Sequence, residues 1–121
     1  AEFEETYSLC RDLAFANIHA FPFSPRTGTM AAAMQGRPPV SVVRQRMERL
    51  RELKTSGLAA YQRRFIGRIQ PGIVEKSDES GGEALSDNFL RLRFSASLPR
   101  GSVSDFKITS SEDGFCYSIP L

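Results

Sequence analysis

The chain has no tryptophan, a single histidine, two cysteines and no long apolar run. Each shortage excludes something. Without about 18 consecutive apolar residues, no membrane-spanning helix is predicted. Cys10 and Cys116 stand far apart, in neither a CxxC pair nor a metal-ligand spacing, so no metal is expected on this chain. They read as two small hydrophobes, kept reduced in the cytoplasm because no export signal accompanies them. The opening Ala1-Glu2-Phe3-Glu4-Glu5 is acidic and lacks the basic flank and apolar stretch of a signal peptide. It also lacks an initiator Met, which suits a piece of a longer protein. Nine Phe without a Trp point to an aromatic core with little interface anchoring.

What is present is ordinary in bulk but uneven along the chain. A length of 121 residues fits one domain, or one small domain with a helical appendage. The 40% hydrophobic and 25% charged residues are those of a soluble globular protein. The net charge of +2 hides an asymmetry. Residues 1–36 carry two basic against four acidic side chains, a net −2. Residues 37–68 carry nine against two, a net +7, and residues 69–121 carry five against eight, a net −3. The basic block falls on one predicted helix.

Tyr7, Leu9, Cys10, Leu13 and Ala14 place apolar groups at helical spacing, which predicts a helix over Glu4–Phe15. After Ala16-Asn17 a short strand is predicted over Ile18–Phe23, ended by Pro22 and Pro25. That strand needs neighbours to pair with, and the chain supplies none before it. Residues 1–36 are therefore expected to be poorly supported relative to 40–121. His19, in mid-strand, reads as a packing residue rather than a ligand. Met30–Gln35 offers one helical turn, ended by Gly36. Pro38-Pro39 then leads into a helix over Val40 to about Arg64. Its apolar stripe is Val43, Met47, Leu50, Leu53, Leu58, Tyr61 and Phe65, and Arg44, Arg46, Arg49, Arg51 and Lys54 cover the other faces. Glu48 is placed to pair with Arg51, and Arg44 or Arg49 with a neighbouring acid on the same helix. Gly57 inside this run costs roughly 1 kcal/mol against Ala and marks a kink or a close approach.

Beyond Gly67 the pattern changes to short alternating runs. Strands are predicted over Arg68–Lys76 with a bulge near Pro71-Gly72, Glu83–Ser86, Phe89–Ser95, Val103–Thr109 and Phe115–Ile119. Pro99-Arg100-Gly101 and Asp113-Gly114 supply turn signals. Four or five such strands in about 55 residues imply a small antiparallel barrel, since closure removes exposed edges.

His19-Ala20-Phe21-Pro22-Phe23-Ser24-Pro25-Arg26-Thr27-Gly28-Thr29 resembles the strand-to-linker signature of the radical-SAM methylthiotransferases that act on tRNA. An Ala-rich tract, Gln35-Gly36, a Pro and a long Arg- and Leu-rich helix follow, as in that family. Gly67 with Ile73-Val74-Glu75 is similar to the opening of a TRAM domain, a small RNA-binding barrel, and Asn88–Arg93 to its central strand. Ile18–Pro22 looks most similar to the threonylcarbamoyladenosine branch. The resemblance implies an α+β chain in three parts: the end of a radical-SAM barrel over 1–36, a connecting basic helix over 37–66, and a TRAM-like, OB-like barrel of four to five antiparallel strands over 67–121.

It further implies a C-terminal region whose parent enzyme uses two iron–sulfur clusters and S-adenosylmethionine to add a methylthio group to a modified adenosine next to the anticodon. Each cluster needs three thiolates that are not found here, so this chain is expected to bind neither cofactor and to be inactive alone. Its expected partners are a tRNA anticodon stem-loop and upstream domains of the same polypeptide. No membrane is involved, and a cytoplasmic monomer or weak dimer is expected. Barrel chemistry sits where strands end, so Phe23, Ser24, Arg26 and Thr29 are expected at an active-site mouth. Arg26 could there pair with a carboxylate or phosphate; the alternative is that these residues only brace the chain. The RNA-binding candidates are Arg44, Arg51 and Lys54 on the helix, and Arg91, Arg93 and Lys107 on the barrel, with Phe89 or Tyr117 as stacking surfaces. The net −3 of residues 69–121 predicts weak, auxiliary binding. Other readings are a stand-alone RNA-binding or adaptor module without enzymatic activity, or a helix used for protein–protein contact with dimerisation through the orphaned strand.

Overall fold

The computed structural model describes residues 1–121. The elements are α1 (Glu2–Asp12), α2 (Met30–Ala33), α3 (Val40–Arg63), β1 (Ile69–Ser77), β2 (Gly82–Ser86), β3 (Arg91–Phe94), β4 (Val103–Glu112) and β5 (Phe115–Pro120). The chain is α+β and forms two compact units, 1–57 and 58–121.

In the first unit, Glu2, Glu4 and Glu5 occupy the first turn of α1, where the helix dipole favours negative charge. The helix stops at Asp12, short of the expected Phe15, because Ala14 turns into the left-handed region at φ +50°. α1 meets α3 through Phe3, Glu4 and Tyr7 on one side and Arg46 and Arg49 on the other. Arg49 forms a fork with Glu4, its Nη2 lying 2.9 Å from Oε2, and its guanidinium stands 4.3 Å from the Tyr7 ring centroid. Arg46 lies 5.0 Å from the centroid of Phe3. The expected partner of Arg49 on its own helix is thus replaced by one on α1. Glu48 and Arg51 do pair along α3. A Cβ on Gly57 would meet the Phe15 carbonyl oxygen at 2.5 Å, so the glycine marks a close approach.

The strand expected over Ile18–Phe23 is absent, and residues 17–26 have no regular structure. A strand exists only by pairing, and none of the five strands pairs with this segment. α2 is a single turn. The Thr29 hydroxyl accepts from the Ala32 amide at 3.2 Å to cap it, and Arg37 donates to the Ala32 carbonyl at its other end.

In the second unit the strands close a barrel in the order β1-β2-β3-β5-β4. All neighbours are antiparallel except β3 and β5, which run parallel with Leu92 opposite Cys116 and Arg93 opposite Tyr117. The five-strand barrel expected from the sequence is present, antiparallel but for this one seam. A ring in which every neighbour points the opposite way needs an even number of strands, so five must include a parallel pair.

Alternation along the strands sends Val74, Ala84, Leu92, Phe94, Phe106, Ile108 and Cys116 inward, joined by Leu90. Each large apolar side chain fully buried here stabilises by roughly 1.5–3 kcal/mol. Gly72 faces the same core: a Cβ would sit 3.1 Å from Leu92 Cδ1 and 3.3 Å from the Phe106 ring. Tyr61 and Phe65 pack on this core, their rings 5.0 Å apart and edge-on.

The bulge lies between Val74 and Lys76 rather than at Pro71-Gly72. Pro71 sits one residue past the end of the β2 pairing, where a missing N–H breaks no ladder bond. β3 is shorter than expected, because Phe89 closes the Asp87-Asn88 turn, its amide donating to the Ser86 carbonyl at 3.0 Å. Asp113 and Gly114, at φ +50° and +80°, form the two-residue hairpin that joins β4 to β5.

Candidate nucleic-acid interface

Since Leu92 and Phe94 point into the barrel, the intervening Arg93 and the preceding Arg91 point out. Register then assembles a row across four strands: Lys76 opposite Glu83, Glu83 opposite Arg93, and Arg93 opposite Tyr117. The Glu83 carboxylate sits among three cations, 3.2 Å from Arg93 Nη2, 3.6 Å from Arg91 Nη2 and 3.7 Å from Lys76 Nζ. Burial alone would raise its pKa. The Arg93 hydrogen bond and the charges of Lys76, Arg93 and Arg91 outweigh that and hold the carboxyl below the usual range.

Both arginines also lean on one ring. The guanidinium carbon of Arg93 lies 3.4 Å, and that of Arg91 4.6 Å, from the centroid of Phe115. Tyr117 and then Glu83 push the Arg93 pKa above its ordinary value.

Beside this row runs an open groove of about 680 Å³, lined among others by Lys76, Asp78, Glu83, Arg93, Thr109 and Tyr117. Its loop is shaped by Asp78, whose Oδ1 accepts from the Ser80 hydroxyl at 2.6 Å, the Ser80 amide at 2.7 Å and the Gly81 amide at 3.2 Å. The Ser80 hydroxyl and amide hold the Asp78 carboxyl below its ordinary pKa. A Cβ on Gly81 would meet the Phe94 carbonyl oxygen at 2.3 Å, so this loop hugs β3.

Phe89 lies outside the groove lining, at the tip of the β2–β3 turn with 78% of its surface exposed. Its φ of +62° is unusual for a bulky side chain and costs on the order of 1–3 kcal/mol. The turn is pinned by Ser86, whose Oγ accepts from the Leu90 amide at 2.8 Å and donates to Asn88 Oδ1 at 2.6 Å. Lys107 is exposed on β4 between Ile69 and Ile119 and lines no part of the groove. The structure therefore brings together Arg91, Arg93 and Tyr117, and leaves Phe89 and Lys107 apart from them.

In the first unit, Arg51 and Lys54 line a smaller cleft of about 240 Å³ with Ile18–Phe21, Met47 and Leu50. Arg44 is exposed on α3. Of the residues expected at an active-site mouth, Phe23, Ser24, Arg26 and Thr29 are all exposed. Thr29 donates to the Arg26 carbonyl at 2.8 Å, and the Arg37 guanidinium stands 5.5 Å from the Phe23 centroid. The Asn17 amide is 3.1 Å from His19 Nε2.

Sequence reasoning missed Glu83, Lys76 and Phe115. Only the strand register makes them neighbours of the two arginines, although the outward phase of Arg91 and Arg93 was readable from alternation.

The donor set does not fit an iron–sulfur cluster. A cluster of the expected kind takes three cysteine thiolates, and the chain has two cysteines. Cys116 is sealed in the barrel core, where burial pushes its thiol up to about 11. No group of three or more His, Cys, Asp or Glu side chains is placed to hold a metal ion. No helix is long and apolar enough to cross a membrane.

No protein-family model matches the chain. Among curated proteins, it is 34% identical over 103 residues to a threonylcarbamoyladenosine tRNA methylthiotransferase of Treponema pallidum, covering 85% of this chain and 20% of that protein. It is 38% identical over 112 residues to a tRNA-2-methylthio-N(6)-dimethylallyladenosine synthase of Aquifex aeolicus, covering 91% and 25%. The synthase of the same name from Bacillus mycoides is 38% identical over 85 residues, covering 70% and 17%. The chain thus spans about a quarter or less of the length of these relatives.

Proposed function

Because this chain belongs to the tRNA methylthiotransferase family, we propose that it holds a tRNA anticodon stem-loop in place while other parts of a longer polypeptide add a methylthio group to an adenosine beside the anticodon. The observation that carries this reading is the outward row of Lys76, Arg93 and Tyr117, with Arg91 and Arg93 braced on Phe115. A planar guanidinium takes a phosphate through two parallel hydrogen bonds, and an aromatic face beside it accepts a base by stacking. The barrel then meets RNA on its β2-β3-β5 face. Arg44, Arg51 and Lys54 add phosphate contacts from α3. Phe23, Ser24, Arg26 and Thr29 face the reaction site of the assembled enzyme, and the whole works in the cytoplasm. Within the family, Ile18–Pro22 favours a threonylcarbamoyladenosine substrate. The net −3 of residues 69–121 keeps the affinity of the barrel modest.

The test is fluorescence anisotropy with a labelled anticodon stem-loop, titrated with the 121-residue chain at several salt concentrations. Binding is expected to weaken with salt, and Arg91→Ala with Arg93→Ala together to lower the log–log salt slope by roughly one per lost phosphate contact. An affinity indifferent both to salt and to the double substitution overturns the reading.

A further inference from the structure

Resting on that reading, we propose that Glu83 is a built-in competitor for RNA phosphate: its carboxylate occupies, in the free chain, the cluster of Lys76, Arg91 and Arg93 that a phosphate of the bound RNA takes over. The geometry is that of an occupied anion site. One carboxylate meets three separate cations within 3.7 Å, and each of those cations reaches solvent more freely than Glu83, whose side chain is only 21% exposed. Carboxylate and phosphate present the same paired oxygens to a guanidinium fork, so one can replace the other without moving the cations. Phe115 makes such an exchange cheap in order: Arg91 and Arg93 lie against its ring and keep their place when Glu83 lets go. The ion pairs that must be given up are open to solvent on the cation side, which keeps their contribution modest. The outcome is selectivity. A lone phosphate or a poorly shaped RNA does not displace an anion already in place, whereas a stem-loop that also stacks on the face does.

The experiment compares Glu83→Gln, which keeps size and shape, with Glu112→Gln, which changes the net charge equally but lies outside the groove. The probe is the labelled anticodon stem-loop, and the readouts are affinity and salt slope. For Glu83→Gln, binding should tighten roughly three- to tenfold and the slope should steepen by close to one phosphate equivalent; Glu112→Gln should change affinity by less than twofold. If Glu83→Gln binds no tighter while Arg91→Ala and Arg93→Ala still weaken binding, Glu83 merely orients the arginines, and the competitor role fails while the RNA-holding role stands. An equal gain from both Gln variants reduces the effect to net charge and also overturns it. If neither arginine substitution matters, RNA does not use this face and the competitor role fails; the RNA-holding role falls with it only if the affinity is also indifferent to salt.

Discussion

Cys10 and Cys116 show how differently one residue type behaves in two surroundings. Cys10 is half-buried on α1, whereas Cys116 faces the barrel core between β3 and β4 and is wholly covered. Its thiol is pushed from 9.0 to about 11 by burial. At neutral pH that leaves about a hundredfold less thiolate, the species that reacts. A water-soluble thiol reagent should therefore modify one cysteine per native chain, at Cys10, and reach Cys116 only with unfolding. Peptide mapping of the labelled chain checks this, and native labelling at Cys116 would contradict the sealed core. Phe89 and Phe115 make a second contrast. The family resemblance marks Phe89 as a stacking candidate. Register instead gives the arginines Phe115, and leaves Phe89 exposed on a strained turn.

Among the elements, α3 was the easiest to read, because helical periodicity is local and survives any arrangement of its surroundings. Gly57 within it makes a sharp test of propensity against packing. Propensity alone favours Gly57→Ala by roughly 1 kcal/mol. The Phe15 carbonyl oxygen, 2.5 Å from where the new methyl would sit, opposes it. We expect Gly57→Ala to lower the thermal midpoint by several degrees; a raised midpoint in calorimetry would show that the 13–16 turn yields instead. Asp113-Gly114 was legible for the same local reason, as a dipeptide suited to two consecutive positive φ angles. Pairings across distance were not legible. The segment 18–23 has a strand's composition and no partner, and Arg49 answers to Glu4, 45 residues away. The parallel seam follows from strand number and order, which no single stretch of sequence encodes.

At the scale of the whole molecule, three carboxyls are held below their ordinary pKa values. Glu4 is lowered by its hydrogen bond to Arg49, Asp78 by Ser80, and Glu83 by its cations despite the opposing effect of burial. A depressed folded-state pKa contributes stability that is present above the unfolded value and lost as pH falls through the folded one. With ordinary values of 4.5 for the two Glu and 3.8 for Asp, that loss belongs to the acid limb below about pH 4.5. Urea midpoints should thus hold steady from neutral pH to about pH 5 and then fall, and Glu83→Gln should make the fall shallower. A midpoint that climbs on acidification would contradict this linkage.

The closure of the five-strand ring carries one more consequence. Every strand has a neighbour on both sides, so the barrel has no edge strand on which a visiting chain could lodge by adding itself to the sheet. Whatever this unit grips, it must grip with side chains, and its choice of ligand is written in the few outward residues that a single substitution can rewrite.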